Sequence, residues 1–320
     1  MTALVERCQN FVFTEDEVAQ LWKGTAACLG TDLSKADADQ LVSAAAPLMS
    51  ALPARLHRHL HAYRTGAIGG DALLLRGLLP SLDFGPNPVS SAAPLDTELV
   101  QRVALCLLAV TMSLGEPFNF RSLYGGRVVQ HVVPVPDMEY TQTSESSSGS
   151  LDWHVEDGFT PDRCDYFALL CLRGEPTAVT RYAAARDVRL PPDVRRVLAE
   201  PRFEMFADSA HVSPHLTSSR TPVLFGPPHN PEICYDDHYL RAAEGDPEAA
   251  EALVVLRTAL SDAVVGHVLE PGDLLLLDNR RVVHARTPFR ARHDRRDRWL
   301  LRTMICSSLP RFRRHGARVI

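Results

Sequence analysis

His154 and Glu156 stand two residues apart, with His284 and then Arg298 far downstream. These residue types suit chemistry centred on a metal. In an extended strand the side chains alternate faces, so His154 and Glu156 point one way while Trp153 and Val155 point toward a core. Two imidazoles and one carboxylate on one side of a metal leave the opposite positions open, an arrangement suited to Fe(II) and O2. Arg298 adds a planar, permanently charged fork that can grip a carboxylate at two points. A metal with open positions beside such a clamp predicts a keto-acid co-substrate chelated to iron.

A histidine, any residue and a glutamate occur together often by chance, so the pair needs context. His284 follows the apolar run Leu274–Leu277, which is entered by the turn Glu270-Pro271-Gly272-Asp273 and left through a polar bend. A histidine just past a buried strand is well placed at the mouth of a barrel. Other histidines fit a metal less well. His57, His59 and His61 alternate within a helical stretch, where a spacing of two splays them apart. His211 and His215 lie four apart, but Pro214 breaks a helix between them. His229 and His238 fall in loops.

The elements that must position these residues follow from patterning. Residues 1–70 read as a helical buttress, with a capping box at Thr14-Glu15-Asp16-Glu17 and a second helix from about Ser34. Strands are expected at Ala72–Leu78, Val128–Val133, Tyr166–Leu172 and Trp299–Cys306, and a strongly apolar helix at Thr97–Leu114 packed across a sheet. Pro80–Pro94 reads as a loop. Thr141–Ser150 is a polar Ser/Thr/Gly tract that reads as a flexible loop or a lid. Asp246-Pro247-Glu248 opens a helix reaching about Val265. The expected architecture is mainly β with flanking helices around a jelly-roll core, in one domain over 1–320. Residues 71–310 form the core, with a helical insertion at about 246–265.

Bulk properties exclude other classes. The net charge is −5, and the basic tail of Arg311, Arg313, Arg314 and Arg318 reads as a solvated surface, so no nucleic-acid partner is expected. No apolar run is long enough to span a bilayer, and no membrane partner is expected. The start of the chain lacks a signal-peptide layout. The 7 cysteines are scattered without paired spacing and read as reduced thiols of a cytoplasmic protein. Lys23 and Lys35 are the only lysines, and neither has the glycine-rich loop that a phosphate needs. The commonest zinc-protease and serine-hydrolase signatures are absent.

The segment Leu151-Asp152-Trp153-His154-Val155-Glu156-Asp157-Gly158-Phe159 resembles the first metal motif of the clavaminate synthase-like oxygenases. Leu169–Gly174, Pro271–Asp273, Asp278–Arg280, His284–Phe289 and Asp297–Leu300 continue the likeness in matching order from about Leu73 to Thr303. This group of Fe(II)- and 2-oxoglutarate-dependent enzymes includes hydroxylases of free arginine, asparagine and lysine, and its fold is a distorted double-stranded β-helix. By position the resemblance implies His154, Glu156 and His284 as iron ligands, and Arg298 as the partner of the far carboxylate of 2-oxoglutarate with Thr180 near it. It implies Arg302 for the α-carboxylate of an amino-acid substrate and Asp236 for the polar or cationic end of that substrate. Gln130 and Ser144–Ser148 fall in pocket-lining segments. His238 stands where some arginine-binding relatives have a second acid, and Leu123 where some have an amide or acid. These departures speak against free arginine and leave a less charged substrate open.

The resemblance implies hydroxylation of an unactivated carbon, Cβ or Cγ, of a free L-amino acid with a polar or basic side chain. Fe(II) is the implied cofactor, 2-oxoglutarate and O2 the co-substrates, and secondary-metabolite biosynthesis the setting. Ring closure or desaturation would use the same ligands. A zinc or manganese hydrolase and a non-catalytic binding jelly roll are the remaining alternatives.

Overall fold

The computed structural model describes residues 9–29, 32–207, 209–211, 220–315 and 318–320. The first strand, β1 (Gln9–Val12), precedes α1 (Glu15–Cys28), α2 (Ala38–Ala45) and α3 (Ala54–Arg64). Then come β2 (Ala72–Arg76), α4 (Glu98–Thr111), β3 (Glu116–Phe118), β4 (Gln130–Val132) and β5 (Leu151–His154). β6 (Tyr166–Arg173), β7 (Val179–Ala184) and α5 (Pro192–Leu198) follow. Four short strands come next: β8 (Phe203–Met205), β9 (Leu224–Phe225), β10 (Glu232–Ile233) and β11 (Leu240–Ala242). α6 (Pro247–Asp262) leads to β12 (Val265–Val268), β13 (Leu274–Asp278), β14 (Val282–Arg286) and β15 (Trp299–Cys306).

The larger sheet runs β1-β2-β13-β6-β15-β3, with β4 also paired to β15, and the smaller runs β12-β7-β14-β5. All the pairings in these two sheets are antiparallel except β1 with β2. The larger sheet is covered on both faces, which explains its continuous apolar runs. Leu274 and Leu276 of β13, with Ala168 and Leu170 of β6, pack under the helices. Leu275 and Leu277, with Phe167 and Leu169, face the other sheet. This is the expected jelly roll. The chain crosses from the larger sheet to the smaller between β13 and β14, so His284 sits within a strand of its own rather than merely past one.

α4 is buried along nearly its whole length because it lies between the sheet and α1 and α2. Its Thr97 cap accepts from the Val100 amide at 3.3 Å. The expectation of helix throughout 1–70 needs correction. Gln9–Val12 is a strand, parallel to β2, and Phe11 and Phe13 bury in the helix-side core. The capping box is present: Thr14 Oγ1 accepts from the Glu17 amide and Glu17 Oε2 from the Thr14 amide. Asp37, with Gln40, caps α2, so that helix begins at Ala38 rather than near Ser34. α6 starts as expected, with the Asp246 side chain accepting from the Ala249 amide, but it ends at Asp262, because Val265 already pairs with Tyr182 in β12. No helix among the described residues is long and apolar enough to cross a membrane.

Candidate active site

β5 and β14 are neighbours in the smaller sheet, and their register sets His154 directly across from His284. The two rings stand 4.1 Å apart between centroids. Glu156 lies just past the end of β5, so its carboxylate needs other support. Asn279 provides it: the Asn279 side chain accepts from the Glu156 amide at 2.8 Å and donates to the Glu156 carbonyl at 3.0 Å. Glu156 Oε1 then lies 3.2 Å from His284 Nε2 and 3.7 Å from His154 Nε2. The donor atoms of the three residues all lie within 4.8 Å of one another. His154 Nδ1 donates to the Asp152 carbonyl at 2.8 Å, which orients the ring so that its Nε2 faces the other two ligand atoms. His284 stacks on Phe167 at 4.7 Å, which fixes its ring plane. Two oriented imidazoles and a carboxylate converging from one side fit a six-coordinate Fe(II) with open positions.

The electrostatics point the same way. Burial opposes the charge on Glu156, but Arg302 and the two imidazoles outweigh it and hold the carboxyl well below its usual range. Burial likewise opposes charge on His154, yet Glu156 and then Asp236 outweigh it and raise that histidine to about 9. Burial and the charge on His154 push His284 down to about 4, against the pull of Glu156. Glu156 is thus a carboxylate and His284 a neutral imidazole, the forms that bind a metal, while the proton on His154 is the one that metal binding would release.

The triad opens into a cavity of about 990 Å³, counting its open mouth. Thr180, Asp236, His284, Arg298 and Arg302 line it. Period-two alternation explains why the two arginines share the cavity: Arg298, Leu300 and Arg302 fall on one face of the β15 segment, while Trp299 and Leu301 face the helices. Arg298 is buried and donates to Thr180 Oγ1 at 3.3 Å. Arg302 Nη1 donates to Glu156 Oε2 at 3.3 Å, and its Nε donates to Gln130 Oε1 at 2.7 Å. Gln130 therefore sits behind Arg302 and does not itself line the cavity. Asp236 pairs backbone to backbone with His154, and its Oδ1 accepts from the His238 and Tyr239 amides at 2.8 and 2.7 Å. Leu123 reaches the cavity, whereas His238 is exposed and does not.

The tract expected as a flexible loop or lid is packed against the sheet. Arg286 Nη1 donates to the Ser147 carbonyl at 2.9 Å, while its Nη2 donates to Ser146 Oγ at 2.8 Å and to the Gly149 carbonyl at 3.0 Å. Ser146 and Ser147 are buried, and Gln142, Thr143 and Ser144 line the cavity. Burial, with the neighbouring charge of Arg298, lowers Arg286 to about 9. Sequence reasoning missed Asn279 and Arg286. Arg286 had a signal, since it lies two residues after His284 on the same face of a strand. Asn279, one polar residue after a buried strand, had none beyond its place in the quoted motif. The other histidines stay apart from the triad. His57 Nε2 bonds the Met49 carbonyl at 3.1 Å, and His59 packs on Phe11. His211 pairs with Asp157 at 2.8 Å, and His215 lies outside the described residues.

Residues 105–304 match the taurine catabolism dioxygenase TauD, TfdA family. The chain is 34% identical over 291 residues to enduracididine beta-hydroxylase of Streptomyces hygroscopicus, spanning 82% of this chain and 84% of that protein. It is 36% identical over 284 residues to L-asparagine oxygenase of Streptomyces coelicolor, spanning 87% and 83%. A crystal structure of asparagine oxygenase in complex with Fe(II), 2S,3S-3-hydroxyasparagine and succinate superposes with a TM-score of 0.87 at 32% identity, covering 95% of this chain and 96% of that one. The chain belongs to the TauD/TfdA dioxygenase family. It is a non-haem Fe(II)- and 2-oxoglutarate-dependent oxygenase, the class that its motifs resembled, and the hydrolase and binding-protein alternatives fall away.

Proposed function

We propose that this chain hydroxylates an unactivated carbon, Cβ or Cγ, of a free L-amino acid with a polar or basic side chain. The convergence of His154, Glu156 and His284 beside a buried Arg298 in one cavity carries the reading. The similarity to an asparagine oxygenase and a β-hydroxylase of an amino acid supports the substrate class. His154, Glu156 and His284 would hold Fe(II), which with 2-oxoglutarate and O2 supplies the oxidising chemistry and leaves succinate and CO2.

Each remaining residue has a positioning task. Arg298, with Thr180, would hold the far carboxylate of 2-oxoglutarate, where a buried planar cation gives a two-point grip. Arg302 would hold the substrate α-carboxylate, its guanidinium aimed by Gln130. Asp236 would meet a donor at the far end of the side chain. The packed tract at Gln142–Ser144 and the aromatic wall of Phe159, Phe167 and Phe206 would exclude water from the reacting carbon. Six described cysteines are free, and we read them as those of a cytoplasmic enzyme.

The test is succinate release from 2-oxoglutarate with Fe(II), O2 and a panel of free L-amino acids, with product mass as the second readout. The expected product gains one oxygen. A product lacking two hydrogens would instead favour ring closure or desaturation, which the same ligands permit. Loss of turnover in His154→Ala and His284→Ala is expected, and full activity of either would remove the triad from the chemistry.

A further inference from the structure

Away from the three ligand atoms, the cavity wall carries a second polar relay. Ser122 Oγ lies 2.7 Å from His211 Nδ1, and His211 Nε2 lies 2.8 Å from Asp157 Oδ1. The three residues come from separate stretches. Ser122 follows β3, Asp157 comes directly after Glu156, and His211 follows β8 and meets Leu123 through an isolated antiparallel bridge. The His211 side chain is fully buried, and the rings of Phe120 and Phe159 stand edge-on to it at 5.6 and 4.9 Å. Asp157 has φ 53°, a left-handed conformation that aspartate tolerates better than most residues and that tends to persist where surrounding contacts enforce it. Asp157 lines the cavity together with Leu123, Phe159 and Ala210.

This relay bears on which side chains the cavity accepts. Besides Glu156, the carboxylates lining it among the described residues are Asp152, Asp157 and Asp236. One oxygen of each is engaged by the chain's own donors. The Ser150 hydroxyl donates to Asp152 Oδ1, the His238 and Tyr239 amides donate to Asp236 Oδ1, and His211 holds Asp157 Oδ1. Three guanidiniums, those of Arg286, Arg298 and Arg302, line the same cavity. A substrate ending in an ammonium or guanidinium needs a carboxylate able to turn toward it, because a desolvated charge without a partner is costly.

We propose that His211 is a specificity-determining residue. By engaging Asp157 it withholds a wall carboxylate from the substrate, and the cavity therefore favours a neutral hydrogen-bonding side chain, such as a carboxamide, over a cationic one. The inference rests on the amino-acid hydroxylase reading above.

The experiment compares L-asparagine and L-glutamine with L-ornithine, L-lysine and L-arginine as probes. Dissociation constants are measured by anaerobic calorimetry on the protein loaded with Fe(II) and 2-oxoglutarate, and substrate-stimulated succinate release is followed in parallel. The wild type is expected to prefer a neutral probe. His211→Leu should shift the neutral-to-cationic affinity ratio by on the order of tenfold toward the cationic probes, the size expected when a close charge pair is gained. His211→Gln, whose amide still offers Asp157 a donor, should keep the wild-type ratio. The double variant His211→Leu/Asp157→Asn should cancel the shift, as pairwise coupling requires. A purely structural role would weaken every probe alike and leave the ratio fixed, which overturns the proposal. A wild type that prefers arginine overturns it as well. If His211→Leu does not fold, the ratio in His211→Gln against His211→Gln/Asp157→Asn decides: equal ratios support the proposal, and a shift between them overturns it. Succinate release with an unmoved ratio removes this inference alone, whereas no succinate release with any free amino acid removes the hydroxylase reading too.

Discussion

Asn279 brackets the backbone of Glu156, accepting from its amide at 2.8 Å and donating to its carbonyl at 3.0 Å. The same side chain amide donates to the Cys164 carbonyl at 3.1 Å, so one buried residue ties the turn before β14 to the carboxylate arm of the triad. Glu156 has no strand partner of its own at this point, and its carboxylate position depends on that bracket. Asn279→Ala should therefore lower iron affinity by roughly 10- to 100-fold, the range seen when groups that orient ligands are lost. It should also cost about 1–3 kcal/mol for each buried backbone group left unpaired. Metal titration and urea unfolding of the variant check both, and wild-type iron affinity would free Glu156 from this dependence.

Arg298→Lys keeps the positive charge but loses the planar two-point grip and the geometry that reaches Thr180. Half-saturation for 2-oxoglutarate should rise by roughly tenfold or more, consistent with about 1.5 kcal/mol or more for a charge-assisted contact. The amino-acid half-saturation should move little. An unchanged value for 2-oxoglutarate would assign the co-substrate to another cation.

Arg286→Met removes four hydrogen bonds to Ser146, Ser147, Gly149 and Thr287 while preserving most of the side-chain length. Residues 141–150 should then exchange their amide hydrogens faster. Because Gln142, Thr143 and Ser144 line the cavity, the amino-acid half-saturation should rise with them. Hydrogen-exchange mass spectrometry reads the first effect and steady-state kinetics the second. Unaltered exchange in that stretch would show that the tract holds itself in place.

His131 supplies a pH dependence of stability. Its Nδ1 accepts from the Trp299 indole at 3.1 Å and its Nε2 faces the Pro94 carbonyl at 3.3 Å, so the buried ring is neutral. Burial lowers it from 6.5 to about 4, against the pull of the Pro94 carbonyl. A depressed histidine binds fewer protons in the folded state than in the unfolded state across that interval. The stability it contributes is present above pH 6.5 and is lost as the pH falls toward 4, amounting to about 3 kcal/mol over the interval. His131→Gln should flatten that part of the curve. Urea unfolding of both proteins at several pH values between 7 and about 4 checks it, and parallel curves would exclude His131 as the source.

Much of the site was legible in local pattern. The alternation at Trp153-His154-Val155-Glu156 paired a buried face with a ligand face, and the structure keeps that division, with Trp153 and Val155 in the core that the smaller sheet shares with α5 and α6. The Leu274–Leu277 run announced a strand covered on both sides, and the Asp246-Pro247 pair announced the start of α6. Each of these signals is carried by residues within one turn or one strand of each other.

What only the tertiary structure decided depends on contacts between distant segments. The strand at Gln9–Val12 was hidden by the helix signals beside it, because its pairing partner β2 lies some sixty residues onward. The polar tract at 141–150 has the composition of a mobile loop, and it is ordered by a guanidinium from β14 that composition does not reveal. The facing of His154 and His284 follows from the register of β5 against β14, and the aim of Glu156 from Asn279. Residue types and period-two spacing determined which side chains could bind a metal. The long-range register that turns three such side chains toward one point is set by how two sheets close on each other, and no local periodicity encodes it.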